Sequence, residues 1–280
     1  MADGALSYCG AEVRSHDNDR FLCALFAPPD AREDLWALYA FNLEVARVRE
    51  SVSDPTLGAI RIQWWRDAVA AIYDGRPPHH QVALALGEAV ERGGLTRYYL
   101  DRLLDARQDD LDDEPIGTLE ELDAYAAATS ASLASLTLEA SGVRDEALDQ
   151  AAGEAATAYA LAGILRAVPF HARFRHIRLP TTLIEEAGVR REELLAGQGS
   201  PALATAVEAI AERARSHLSA ARRIGRMPRA ALPAVLPGAL ADRYLARLRA
   251  ARYDVFAPSR EPAPITRHLR LMRTVLTRRL

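Results

Sequence analysis

The chain has 280 residues, 49% hydrophobic and 26% charged, with a net charge of −3. That is the composition of a globular chain long enough to bury a substantial core, and its slight acidity gives no reason to expect nucleic acid as a partner. All 35 basic residues are arginine, which argues against a lysine nucleophile or Schiff base.

Cys9 and Cys23 have neither metal nor redox spacing, so reduced thiols of a cytoplasmic protein are expected. Met1 to Gly10 has no basic segment followed by an apolar run, so no signal peptide is expected. There is also no apolar run of about 18 residues, so no spanning helix is expected.

Alanine and leucine dominate, β-branched runs are absent and apolar residues recur at helical spacing, so the expected fold is all-α. Tyr8 to Phe26 predicts one or two short helices, stopped by Pro28-Pro29. Asp30 or a neighbour then caps a long helix through Trp36, Phe41 and Val48. Ser53-Asp54-Pro55 opens a helix to Tyr73, and further helices are predicted near 80–92 and 96–110.

Thr118-Leu119-Glu120-Glu121 has capping-box spacing for a helix to Glu139. A long helix is predicted from Asp145 to Val168, where Pro169 should end it. A short helix near 182–187 follows, then long ones over 201–224 and 230–252, the latter open to interruption at Pro237-Gly238. The last, about 264–279, places Ile265, Leu269, Met272 and Leu276 along one side. Short connections and the absence of a repeat predict one domain, 1–280.

The run Asp109-Asp110-Leu111-Asp112-Asp113-Glu114 reads as a solvated acidic face. Residues 243–280 hold ten arginines against two acids. The last helix is therefore amphipathic and basic. It is expected to dock its apolar side and leave its basic side in water, with peripheral contact to an anionic membrane as the alternative. The seven histidines lack metal spacing, and His79-His80 beside two prolines reads as surface. Trp64-Trp65 and Tyr98-Tyr99 should each send one ring to the core, since adjacent helical residues face different sides.

Three stretches in register carry a resemblance over nearly the whole chain. They are Leu38-Tyr39-Ala40-Phe41, the segment from Leu104 through Thr118-Leu119-Glu120-Glu121-Leu122-Asp123-Ala124-Tyr125, and Gly163-Ile164-Leu165-Arg166 leading to Leu179-Pro180. Together they resemble the squalene/phytoene synthase family. The resemblance implies a terpenoid-synthase-type helical bundle around a central apolar cavity. It also implies two Asp-rich motifs whose Mg²⁺ ions bind the diphosphates of two prenyl substrates joined head to head. Carboxylates at i and i+4 share a helix face, and paired faces clamp hard cations.

On this alignment the first motif falls at Ala46, Arg47, Val48, Arg49 and Glu50, and the second at Ala167 and His171. Only Glu50 retains a carboxylate. Pro169 between the latter two should also spoil their shared face. No metal and no cofactor is expected, with Mg²⁺ needed only if prenyltransferase activity persists. Asn42-Leu43-Glu44, Arg61-Ile62-Gln63-Trp64-Trp65, Pro77-Pro78-His79 and Phe256-Ala257-Pro258-Ser259 resemble one branch of the family. That branch holds an assembly factor of mitochondrial respiratory complex I and its bacterial relatives.

Three functions follow as expectations. The first is a pseudoenzyme that binds partners, such as respiratory complex I subunits or assembly proteins, in the cytoplasm or at the inner face of the membrane. The second is a carrier of an isoprenoid or anionic lipid. Its candidate contacts are Tyr39, Phe41, Glu50, Tyr159, Arg166, His171, Arg173, Arg175, His176 and Arg178, because guanidinium pairs well with phosphate. The third is an active prenyltransferase using residual acids such as Glu44, Glu50 and Asp110.

Overall fold

A computed structural model describes residues 6–52, 54–111, 114–257 and 264–280. Ser53, Asp112-Asp113 and Pro258-Ser259, all drawn on above, lie outside the described residues, as does the start of the chain. The described residues form helices joined by turns, without a strand.

In chain order the helices are α1 (Tyr8–His16), α2 (Asn18–Ala24), α3 (Arg32–Ala46), α4 (Val48–Ser51), α5 (Pro55–Tyr73), α6 (Gln81–Gly93) and α7 (Arg97–Asp109). They continue with α8 (Leu119–Ala126), α9 (Ser132–Ala140), α10 (Glu146–Arg173), α11 (Thr181–Glu186), α12 (Arg191–Leu195), α13 (Pro201–Arg222), α14 (Leu232–Ala250) and α15 (Pro264–Thr277).

Local chemistry explains many of the boundaries. Asp54, Thr118, Asp145 and Ser200 each accept a hydrogen bond from a backbone N–H in the first turn of the helix they precede. Those N–H groups have no partner inside the helix, so such a cap stabilises it by about 1 kcal/mol. Proline at the first position of α5 and α13 suits the same place, since its N–H would be unused there. Gly94 ends α6 at φ 57, a left-handed conformation that costs glycine little.

Other expectations are corrected. No side-chain cap starts α3, and a 3₁₀ turn over Pro29–Ala31 leads into it instead. The helix expected through Val48 breaks at Arg47. A π-helical turn, Ala127–Ala131, separates α8 from α9. The break expected at Pro169 is absent, because α10 runs 28 residues and continues to Arg173. Leu165 and Val168, before the proline, are buried in one core cluster, and Ala172, after it, is buried as well. Burying a leucine or valine contributes roughly 1.5–3 kcal/mol each, enough to offset about 3 kcal/mol for an interior proline. Pro237 is likewise carried through α14, itself buried.

Helix α10 is the centre of the molecule. It packs against α9, α13 and α14, and its residues contribute to two of the three apolar clusters. The remaining cluster unites α1, α3, α5, α6 and α7, with Phe41 meeting Trp65 edge-on at 5.1 Å. As expected, Trp65 is buried while Trp64 is exposed, and Tyr98 points to solvent. His79 is exposed, but His80 is half-buried with its ring packed against both Trp64 and Trp65.

The last helix reverses its expected orientation. Leu271 and Thr274 are buried, while Ile265, Leu269, Met272 and Leu276 face solvent. Ion pairs decide this. Arg267 reaches the buried Asp19 at 3.0 Å, and Arg270 reaches Asp242 at 2.6 Å. The side expected to be solvated is the side that docks.

Candidate functional site

One face of α10 lines a cavity of about 560 Å³ through Ala160, Gly163, Ile164, Ala167, Phe170 and His171, with Phe174 just past its end. Ala46, Arg49, Glu50 and Val52 close another side, around the break between α3 and α4. The wall is completed by Arg20, by Arg107 and Asp110 at the end of α7, by Tyr125, Thr129 and Ser130, and by His176 and Arg178 after α10. The unbroken α10 therefore keeps Ala167 and His171 on one face, four residues apart, despite Pro169.

The wall is apolar along α10 and basic opposite. Four arginines face it against two acids, Glu50 and Asp110. Asp110 is already engaged. It accepts from Arg107 Nη1 at 2.9 Å and from the Tyr125 hydroxyl at 2.9 Å, and Arg178 Nη2 lies 2.8 Å from its other oxygen. The Tyr125 hydroxyl in turn accepts from Arg107 at 2.6 Å and from Arg178 at 2.9 Å. Burial raises the Tyr125 pKa, so the phenol keeps its proton and can donate. Glu50 is exposed at the cavity edge. Among the described residues no group of three or more His, Cys, Asp or Glu side chains is placed to hold a metal ion.

His171 is half-buried in the cavity wall, with its Nδ1 buried and no hydrogen-bond partner. Burial, reinforced by Arg178 and His176, pushes its pKa down to about 4, so the ring is neutral at pH 7.

The structure separates the candidate ligand contacts. Glu50, Tyr159, His171, His176 and Arg178 line the cavity. Tyr39 touches a small crevice beside Arg20 and Tyr159, and its hydroxyl pairs with Thr137 at 3.3 Å. Phe41 is fully buried in the core. Arg166 points to the other side of α10, where its guanidinium lies 3.9 Å from the Tyr244 ring centroid and 3.7 Å from Asp19. Arg173 and Arg175 are exposed beyond the cavity, Arg175 at a left-handed φ of 58. Arg47 and Glu44 are also absent from the wall.

Sequence reasoning missed Arg20, Arg107 and Tyr125, and it read Asp110 both as part of a solvated run and as a residual acid; the structure puts it in the cavity wall. The three-residue spacing of Arg107 and Asp110 is a local sign of their pairing. Arg178 comes from a distant part of the chain.

An all-α bundle whose longest helix walls a basic, part-apolar cavity is the architecture of a terpenoid-synthase-type protein. The sequence model of squalene/phytoene synthase matches residues 13–270, and the chain belongs to that family. It is 38% identical over 253 residues to a rat (Rattus norvegicus) protein named NADH dehydrogenase (ubiquinone) complex I, assembly factor 6, covering 90% of this chain and 76% of that protein. It is 25% identical over 240 residues to a presqualene diphosphate synthase of Rhodopseudomonas palustris, covering 85% of each. The fold matches a crystal structure of squalene synthase from Alicyclobacillus acidocaldarius with a TM-score of 0.77, at 20% identity over 88% of this chain and 93% of that one.

Proposed function

We propose that this chain is a non-catalytic member of the squalene/phytoene synthase family that serves in the assembly of respiratory complex I by binding a partner. The observation that carries this reading is the cavity wall. Magnesium takes several converging oxygens, whereas among the described residues this wall offers two carboxylates, Glu50 and Asp110, and Asp110 is held by two guanidiniums and a phenol. The faces aligned with the two metal motifs present Ala46 and Arg49, and Ala167 and His171. This donor set does not fit Mg²⁺, and no step is assigned to it. The higher identity to the assembly factor than to the presqualene diphosphate synthase supports the same reading.

The test is deletion of the gene, followed by native gels and NADH dehydrogenase activity. Loss of the fully assembled complex, restored by the wild-type gene, is the expected result, and an unchanged amount would overturn the reading. Incubation with farnesyl or geranylgeranyl diphosphate and Mg²⁺ is expected to give no product. Turnover abolished by Glu50→Gln would return the chain to the prenyltransferases.

A second reading rests on the same cavity. Apolar Ile164 and Phe170 opposite Arg107 and Arg178 suit an isoprenoid or lipid with an anionic head. Calorimetric titration with farnesyl diphosphate should then saturate equally with and without Mg²⁺. Absence of saturable binding in both conditions removes this reading and leaves the assembly role standing. On both readings the protein works in the cytoplasm, at or near the membrane that houses the complex.

A further inference from the structure

Helix α15 turns four large apolar side chains to water. Ile265, Leu269, Met272 and Leu276 are 59%, 60%, 49% and 75% exposed. Spacings of four, three and four residues align them in one narrow stripe along about 16 Å of helix. A single exposed leucine is ordinary on a protein surface, but a continuous stripe on one helix marks a contact face.

The opposite side of the helix is committed to the body of the protein. Leu271 and Thr274 are buried there. Arg267 donates to Asp19 at 3.0 Å and to Asn18 at 2.7 Å, and Arg270 donates to Asp242 at 2.6 Å. Rolling the stripe inward would break these pairs and take from the Asp19 carboxylate, which is 9% exposed, its nearer guanidinium, leaving Arg166 at 3.7 Å.

Charge selects the occupant. Helix α15 contains no acidic residue. Arg273 is exposed beside the stripe, and Arg279 is exposed just past the end of the helix. Exposed Arg226 and Arg229 lie close to its C-terminal end, where the Met227 N–H donates to the Arg278 carbonyl at 2.9 Å. An apolar stripe beside exposed guanidiniums, on a helix without an acid, complements a layer of phosphate headgroups over acyl chains. The helix is 14 residues long, short of the roughly 20 a span requires, and no helix among the described residues is long and apolar enough to cross a membrane. The contact therefore lies in the plane of the surface.

We propose that α15 docks the protein on an anionic lipid bilayer, with Ile265, Leu269, Met272 and Leu276 entering the boundary between headgroups and chains. This contact does not depend on the assembly role.

The test is co-sedimentation of the full chain with phosphatidylcholine vesicles, with and without phosphatidylglycerol. Wild type should bind the vesicles that contain phosphatidylglycerol, and added salt should weaken binding. Leu269→Ser with Leu276→Ser should lower the partition at least about tenfold. Arg273→Gln with Arg279→Gln should lower it about fivefold per arginine and flatten the salt dependence. All four side chains are exposed, so both variants should melt as wild type does. Met272→Trp should in addition be quenched by brominated lipid beyond the wild-type level. Failure of wild type to bind these vesicles, binding indifferent to the leucine pair, or no added quenching would overturn the proposal. A concentration-dependent dimer abolished by the leucine pair would also overturn it and assign the stripe to a second copy of the chain.

Discussion

Arg178 holds the carboxylate of Asp110 across the cavity wall, Nη2 to Oδ1 at 2.8 Å, with the two side chains only 17% and 8% exposed. The contact ties the segment after α10 to the end of α7, and Tyr125 stitches both to α8. Removing one partner of a buried pair leaves a charge without compensation, at a cost of about 3–5 kcal/mol when nothing replaces it. Arg107 still faces Asp110, so Arg178→Ala should cost less, about 2 kcal/mol, read as a lower urea midpoint. Tyr125→Phe should cost about 1 kcal/mol. In a double-mutant cycle, Arg178→Ala and Asp110→Asn should couple by more than about 1 kcal/mol. Simple additivity would mean that the pair seen in the structure contributes nothing to stability.

Two helical glycines should respond oppositely to alanine. Gly163 faces the cavity, and a Cβ there would have no atom within 4 Å. Gly163→Ala should therefore stabilise by about 0.5–1 kcal/mol through helix propensity alone. At Gly238 in α14, a Cβ would stand 2.9 Å from the Ala155 Cβ and 3.3 Å from its Cα on α10. A backbone neighbour cannot swing aside, so overpacking of about 1–3 kcal/mol should exceed the propensity gain. Thermal unfolding of the two variants checks both signs. Stabilisation by Gly238→Ala would place α10 and α14 further apart than the structure has them.

The helical architecture was legible because its signals are local. Asp54 and Thr118 stand one residue before the helices they cap, and apolar spacing marks the helical segments. What was illegible depends on partners remote in sequence. Pro169 obeys its local rule only where burial does not outweigh it, and Leu165, Val168 and Ala172 are all buried. Amphipathicity gave α15 two sides without saying which one docks, since that depends on Asp19 and Asp242. Asp110 lies in an acidic run that reads as solvated until Arg178 and Tyr125 are folded against it. Among the candidate ligand contacts, Arg166 points away from the cavity because it stacks on Tyr244, a residue of α14.

Both thiols should be inert in the native protein. Burial pushes the Cys9 pKa up to about 11, with Glu33 adding to the shift, and burial raises Cys23 well above the usual thiol value. The thiolate is the nucleophile, so at pH 8 native Cys9 should react with a disulfide dye about a hundredfold more slowly than a free thiol. Both cysteines should titrate promptly in denaturant. Rapid labelling of the native protein would show that α1 and α2 open readily.

His171 gives the cavity a pH dependence whose sign follows from its depressed pKa. The unfolded chain takes up the imidazole proton near the ordinary value of 6.5, whereas the folded protein resists it down to about 4. Between those values the unfolded state binds more protons, so stability is full above about pH 6.5 and is lost as pH falls toward 4. Carboxylates titrate in the same range, which makes the difference between wild type and His171→Gln the useful quantity. On acidification from neutral pH to 4.5, wild type should lose more thermal stability than the variant. The His171 ring protons should titrate near pH 4 by NMR. Equal losses, together with a midpoint near 6.5, would mean that the ring is solvated and that the cavity is open to water around Arg178 and His176.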